Sequence, residues 1–161
     1  MIIKRLNTSR EVVAGLHLVW DVFIRENANS CTQQGIEEFA RFIKMENFMP
    51  LVESGEMIVF GVVEGQELVG IGAVQSDGHI SLLFVRPDLR RRGIAKALVN
   101  EMCRFCTMQL ALMRITVNAS VVSTEAYHHM GFRDLAPVQE KDGIRFVPME
   151  LMVSPANVRP S

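Results

Sequence analysis

A chain of 161 residues with 17 Lys and Arg against 18 Asp and Glu has a formal net charge of −1, which excludes the basic excess that general nucleic-acid binding draws on. Hydrophobic residues at 48% and charged residues at 22% match an ordinary soluble globular protein, and the length suits one domain, expected to be 1–161. No apolar run is long enough for a bilayer, "MIIKRLNTSREVV" lacks a signal-peptide h-region, and the three cysteines form an odd set, so a reduced, cytoplasmic protein that engages no membrane is expected.

"MIIKRL" reads as a first strand. Thr8 to Glu11, "TSRE", has capping-box spacing, and Val12, Val13, Leu16, Val19, Trp20 and Phe23 follow at helical intervals. After the polar loop "RENANSCT", a second helix is predicted over "TQQGIEEFARFIK", with Ile36, Phe39 and Ile43 on one face. Three strands come next. "MIVFGVV", "LVGIGAVQ" and "HISLLFV" are separated by the glycine-containing turns "EGQE" and "SDG", which are hairpin signals for an antiparallel meander. "GIAKALVNEMCRFCTM" places Ile94, Ala97, Leu98, Met102 and Phe105 on one helical face. Strand "RITVNA" follows, then a short helix "STEAYHHM" with Ser123 as N-cap, and a last pair of strands joined at "KDG". The expected fold class is α/β of the mixed α+β kind: a central, mostly antiparallel, twisted sheet of about seven strands flanked by about four helices.

The stretch "VRPDLRRRGIAKAL" places three arginines before a glycine, between a strand and a helix. Helix-initial N–H groups have no internal partner and point outward with the positive end of the dipole, so a phosphate binds there readily. Gly93 and the small Ala95 would let a ligand approach the backbone, and flanking arginines would add charge-assisted contacts. Neither GxxxxGK[ST] nor GxGxxG is present, and "GIGAVQ" lies inside a strand.

What remains, Arg90-x-x-Gly93-x-Ala95, resembles the signature of the GCN5-related N-acetyltransferase (GNAT) family. The resemblance extends through "LLFVRPDLRRRGIAKAL", through "TVNASVVSTEAYHHMGF" and into the hairpin tail. "ISLLFV", "TVN" and "FVPME" are further similar to a bacterial group of the family without an assigned substrate. It implies the GNAT fold and acetyl-CoA, or coenzyme A, as cofactor. The implied reaction is N-acetyl transfer to a primary amine of a small molecule, amino acid or peptide, by direct attack in a ternary complex. Main-chain N–H groups of Arg91, Arg92, Gly93, Ile94, Ala95 and Lys96 would cradle the pyrophosphate, with Arg90 opening the motif. Leu83, Phe84 and Val85 would lie along the pantetheine arm. Asn118 would contact that arm or its waters, and Ser123 is either a cofactor contact or a plain helix cap.

Acetylating an amine requires that its proton leave, since an alkylamine of pKa near ~10 is mostly charged at neutral pH, and that the departing thiolate gain a proton. His79, six residues before Val85, stands where the resemblance places a base: histone acetyltransferases carry glutamate there and arylalkylamine acetyltransferases histidine. It reads equally well as an exposed strand-start residue. Strand alternation puts His79, Ser81, Leu83 and Val85 on one face unless a bulge intervenes. Ser81 is a candidate for holding a bridging water. Glu64 and Glu67, at a hairpin turn, are weaker candidates for the base. The only tyrosine, Tyr127, falls where the family places a thiolate-protonating phenol.

The segment 16–45 is expected to form the acceptor side, with Trp20, Phe23, Glu26 and Cys31 as substrate-binding candidates. Glu26, Glu37 and Glu38 favour a cationic amine or form a solvated helix face. Cys103-x-x-Cys106 lies inside a helix without a second pair and reads as packed thiols, and His128-His129 diverge on theirs, so no metal is expected. Cys31 would permit an acetyl-cysteine route, although the family's usual route is direct attack. The exposed late strands leave room for a homodimer. The rival from another class is a non-catalytic acyl-CoA-binding or sensing module, which would need neither His79 nor Tyr127.

Overall fold

The computed structural model describes residues 1–154; the last part of the expected domain, 155–161, lies outside the described residues. In chain order the elements are β1 (Ile2–Arg5), α1 (Ser9–Glu26), α2 (Gln33–Phe42), α3 (Met45–Ser54), β2 (Met57–Glu64), β3 (Glu67–Gln75) and β4 (His79–Val85). They continue with α4 (Ile94–Leu110), β5 (Arg114–Ser120), α5 (Thr124–His129), β6 (Arg133–Asp134), β7 (Gln139–Lys141) and β8 (Ile144–Met152). The strands form one eight-stranded sheet in the order β1-β2-β3-β4-β5-β8-β6, with β7 also on β8. Every pairing in it is antiparallel except that of β4 with β5.

The predicted starts of the first two helices are realised locally. Thr8 Oγ1 accepts the Glu11 N–H while the Glu11 carboxylate accepts the Thr8 N–H, completing the capping box. Thr32 Oγ1 accepts the Gly35 N–H and starts α2. Ser123 differs from expectation: it makes no capping bond, and its hydroxyl instead donates to the Ser120 carbonyl and sits 2.7 Å from the Ser120 hydroxyl.

One whole helix, α3, is absent from the sequence-based expectation, because Pro50 sits in its middle and breaks the pattern. Tertiary packing overrides that signal. Phe48 and Met49 are buried from α3 against the sheet, and Gly55 closes the helix in the left-handed region at φ 84°. The other addition is the two-residue β6, too short to register as alternation.

Two cores flank the sheet. On one face α4 packs Ile94, Leu98 and Met102 onto residues from β2 through β8, with Tyr127 of α5 in the same cluster. On the other, α1 and α3 cover only the β2–β4 part, through residues such as Val12, Val19, Phe48, Ile71 and Leu82. The β5–β8 half of that second face carries Thr116, Asn118 and Glu150, all of them polar, on the side away from α4. No helix among the described residues is long and apolar enough to cross a membrane.

Since α3 is held by burial and not by its own propensity, Phe48→Ala should cost about 3–5 kcal/mol of stability. Urea unfolding followed by circular dichroism measures it; a loss below about 1 kcal/mol would mean that Phe48 is not part of the core.

Candidate active site

β4 is paired with β3 over most of its length but with β5 only at His79↔Thr116 and Ile80↔Val117. Beyond Ile80 the two strands part, leaving a fork whose closed end is at those rungs. The Arg86 N–H donates to the Val69 carbonyl at 2.9 Å, so the hydrogen-bonded pairs on the β3–β4 ladder are Arg86–Val69 and, two residues back, Phe84–Ile71. Leu83 and Val85, in the alternate positions, therefore turn their N–H and C=O groups away from β3 and into the fork.

A bulge re-aims β4. Its register with β3 steps from Ala73↔Leu82 to Val74↔Ile80, with Ser81 as the extra residue. Ile80 and Val85 belong to the core under α4, whereas Leu82 lies in the opposite core and Phe84 packs against that one. The expected shared face of His79, Ser81, Leu83 and Val85 is thus corrected: the bulge reverses the alternation, and His79 lies on the face away from α4. Ser81 Oγ accepts a hydrogen bond from Gln75 Nε2 at 2.9 Å.

After β4 the chain makes a 3₁₀ turn at Pro87–Leu89, passes through Arg91 at φ 64° and Gly93 at φ 77°, and enters α4 without any side-chain cap. A Cβ on Gly93 would meet nothing of the protein within 4 Å, so within the fold itself glycine serves there for its left-handed φ. The first turn of α4 presents its main-chain N–H groups with Ile94 buried below, Ala95 half-buried, and Arg91, Arg92 and Lys96 exposed. Arg90 reaches Glu26 at 3.1 Å, and Arg92 grips Glu64 with both terminal nitrogens at 2.7 and 3.1 Å. Arg86 likewise spans Asp88 and Glu67. Glu26, Glu64 and Glu67 are accordingly partners of the arginine loop and its neighbour.

Tyr127 is 5% exposed, with its ring against Phe132 at 5.2 Å, and its hydroxyl makes no hydrogen bond with the described residues. Burial pushes its pKa up, so the phenol keeps its proton across the physiological range. Asn118 is exposed on β5, on the same strand face as Thr116.

His79 lines a cavity of about 360 Å³ with Gln75, Asp77, Leu112, Met113, Arg114 and Thr116. Its Nδ1 lies 2.8 Å from Thr116 Oγ1, and its main-chain N–H donates to Asp77 Oδ1 at 3.1 Å. Burial lowers the His79 pKa, with the Asp77 charge opposing, so the imidazole is mostly neutral at pH 7. His79 and Thr116 belong to the rung that closes the fork, and the rest of the lining precedes that rung in the chain, on the side away from the fork's opening.

Trp20 and Phe23 do not reach that cavity. They stack at 5.8 Å, Phe23 stacks on Phe39 at 4.2 Å, and Phe39 tilts against Phe84 at 6.0 Å, tying α1, α2 and β4 together. Cys31 is half-buried with its thiol donating to the Asn27 carbonyl, and burial raises its pKa, which disfavours a nucleophilic thiolate. Cys103 and Cys106 are buried in α4, their thiols pushed up to about 12 and about 11.

A family model described as an acetyltransferase (GNAT) domain matches residues 27–153. The chain belongs to the GNAT acetyltransferases. Among solved structures, a GCN5-related N-acetyltransferase from Rhodopseudomonas palustris superposes with a TM-score of 0.80 at 13% identity, covering 94% of this chain and 95% of its own. The PaiA N-acetyltransferase from Thermoplasma acidophilum, solved with coenzyme A, gives 0.75 at 16% identity over 95% and 100%. An aminoglycoside 6'-N-acetyltransferase complexed with coenzyme A gives 0.66 at 17% identity over the full length of both chains. These likenesses are of fold. No curated protein matches the sequence.

In this GNAT chain the sequence reading missed the polar row that crosses the open sheet face beside the cavity. Cross-strand register places His79 beside Thr116, Thr116 beside Glu150, and Glu150 beside Arg133. Glu150, 5% exposed, accepts from Arg114 Nε at 2.6 Å and from Arg133 Nε at 2.7 Å. No local motif marks these residues; only strand register assembles them.

The first turn of α2 is locked to the β7–β8 turn over the same face. The Thr32 N–H donates to the Gly143 carbonyl at 3.0 Å, and a Cβ on Gly143 would stand 2.0 Å from Thr32 Oγ1. Gly143→Ala should therefore cost about 3 kcal/mol or more, since a clash adds to left-handed strain at φ 83°. Gly65→Ala, with φ 63° and open space, should show the strain alone, about 1–2 kcal/mol. Thermal unfolding of both separates the two contributions; equal losses would mean the turn is not locked to α2.

Proposed function

We propose that this GNAT protein transfers an acetyl group from acetyl-CoA to a primary amine by direct attack within a ternary complex. The observation that carries the reading is the fork: β4 leaves β5 after two rungs and turns the main-chain groups of Leu83 and Val85 into the gap, directly before an uncapped helix start. Acetyl-CoA supplies the acetyl group as a thioester. The residues fit it. Main-chain N–H groups from Arg91 to Lys96, at the positive end of the α4 dipole, suit a pyrophosphate, and the Arg90 and Arg92 guanidinium groups lie at its edge. The edge of β4 from Leu83 to Val85 offers an extended arm a ladder of hydrogen bonds, and an N–H there is a donor for charge developing on a carbonyl oxygen. Asn118, on β5 across the gap, is the proposed side-chain contact to the same arm, and Ser123, whose hydroxyl donates to the Ser120 carbonyl, stays a candidate contact beside it.

His79 is the proposed base. For Nε2 to accept the amine proton, Nδ1 must carry the ring proton, and Thr116 Oγ1 at 2.8 Å offers that Nδ1–H an acceptor. Tyr127 is the proposed acid. Its hydroxyl is protonated and free of other partners among the described residues, as a donor to a departing thiolate must be. A sensing module would require neither feature.

Tyr127→Phe should lower kcat about 10²-fold and leave the acetyl-CoA Kd unchanged, measured by CoA release with an amine panel and by calorimetry. Unchanged kcat would remove Tyr127 from the reaction. If wild type binds acetyl-CoA yet acetylates no amine, the sensing reading wins.

The pH dependence has a definite sign. Burial depresses the His79 pKa, so the neutral base is present at pH 7 and is lost as pH falls through a value below the ordinary 6.5. The acidic limb of kcat/KM should lie below 6.5 and disappear in His79→Gln. An identical limb in the variant would reassign the base.

A further inference from the structure

Among charged side chains near the cavity, the Arg114 guanidinium is held at one end and open at the other. Its Nε donates to Glu150 Oε1 at 2.6 Å, which fixes its plane, while neither Nη1 nor Nη2 forms a hydrogen bond with the described residues. Arg114 lines the same cavity as His79 and is about half exposed, so this fork of N–H donors faces accessible space. A carboxylate is the group that such a planar fork binds with two parallel bonds.

The charge balance around the cavity narrows the choice. Glu150 is spent, with Arg114 on one oxygen and Arg133 on the other, and so offers nothing to a cation. The one acidic group on the wall is Asp77, beside His79. A polyamine or an aminoglycoside would need several unspent carboxylates, and among the described residues the wall holds only Asp77. One acid, Asp77, and one open guanidinium, Arg114, in the same wall match a molecule with one ammonium and one carboxylate.

Scale agrees. His79 is bonded to Thr116, and Arg114 is two residues before it on β5, a step of about 7 Å at strand rise. A step of that size lets both side chains face one compact amino carboxylate in the cavity they share. Leu112 and Met113 supply an apolar wall for a hydrocarbon side chain.

We infer that the acceptor is a free amino acid with an apolar side chain, its amine toward His79 and Asp77 and its carboxylate on the Arg114 fork. This rests on the acetyltransferase reading above, and it separates a free amino acid from a peptide N-terminus, whose carboxylate is lost in an amide.

The test uses the full chain with acetyl-CoA and three matched acceptors: leucine, leucinamide and isopentylamine. CoA release gives kcat/KM, and calorimetry on the CoA-loaded protein gives acceptor binding. Leucine should exceed the other two at least tenfold in kcat/KM. Arg114→Gln should erase that preference through KM for leucine, and Arg114→Lys, which keeps a charge and a partner for Glu150, should recover part of it. Unfolding temperature and acetyl-CoA Kd check that each variant folds; if Arg114→Gln does not, Arg114→Lys carries the comparison, with a leucine KM raised and a leucinamide KM unmoved. Comparable rates for all three acceptors, or an equal effect of Arg114 substitution on each, overturns the carboxylate site while leaving the acetyltransferase reading in place. Leucine bound through Arg114 without turnover supports the site and overturns the catalytic reading instead. Neither binding nor turnover of leucine overturns the inference outright.

Discussion

The architecture of the site depends on β4 abandoning β5 after two rungs. A strand that leaves its neighbour exposes main-chain donors and acceptors that ordinarily cost free energy when unpaired. Here the loss is confined to a short stretch, because β3 holds the other edge of β4 from Ile80 to Val85. β5 is equally secured on its far side, pairing with β8 from Arg114 to Ser120. Each strand flanking the gap keeps its full ladder on the other edge, so the gap between them persists as a slot. The bulge at Ser81 belongs to the same device: it adds a residue at the point of divergence and reverses which face each later side chain serves.

The arginine loop shows a related economy. Three consecutive cations between β4 and α4 would repel one another and strain the turn, yet Arg90 and Arg92 are each held by a carboxylate from another element, Glu26 and Glu64. Both pairs are partly solvent-exposed, so each is worth little to stability. Their effect is positional. They place guanidinium groups at the rim of the α4 N-terminus, and an exposed pair can exchange a carboxylate for a phosphate at small cost. Glu26 also closes α1, where the chain turns into the Asn27–Cys31 segment, so the pyrophosphate end proposed for the site is mechanically joined to the segment leading into α2.

Much of this was readable in the residues before any coordinates. The capping box at Thr8, the hairpin glycines and the apolar stripe of α4 are local signals, and local chemistry fixed those elements. What stayed hidden shares one property: it is made by contacts distant in sequence. α3 holds against Pro50 because Phe48 is needed in a core it cannot know from its own neighbours. The Ser81 bulge answers to β3 and leaves no mark in "HISLLFV". Arg114, Arg133 and Glu150 look like three ordinary surface charges until register puts them side by side. Trp20 and Phe23 show the same thing from another side: the sequence singles them out as aromatic, but their stacking into a chain that joins α1 to α2 and β4 is a matter of tertiary contacts.

The open half of the sheet face explains why polar residues can be ordered there without a helix to cover them. A carboxylate as buried as Glu150 is costly unless its oxygens are satisfied, and the two arginines satisfy both. That arrangement fixes Arg114 through its Nε and leaves its remaining donors uncommitted. Next in the row, Thr116 holds His79 by one ring nitrogen and leaves the other uncommitted. These two side chains of the cavity wall are thus built alike: each is anchored through one polar atom to the sheet and keeps a second uncommitted among the described residues. An anchor that a folded sheet already provides removes the rotamer entropy a flexible arginine or histidine would otherwise lose on meeting a substrate. In the proposed site it is therefore rigid strands, and not the loops above them, that would set where an acceptor's charges fall.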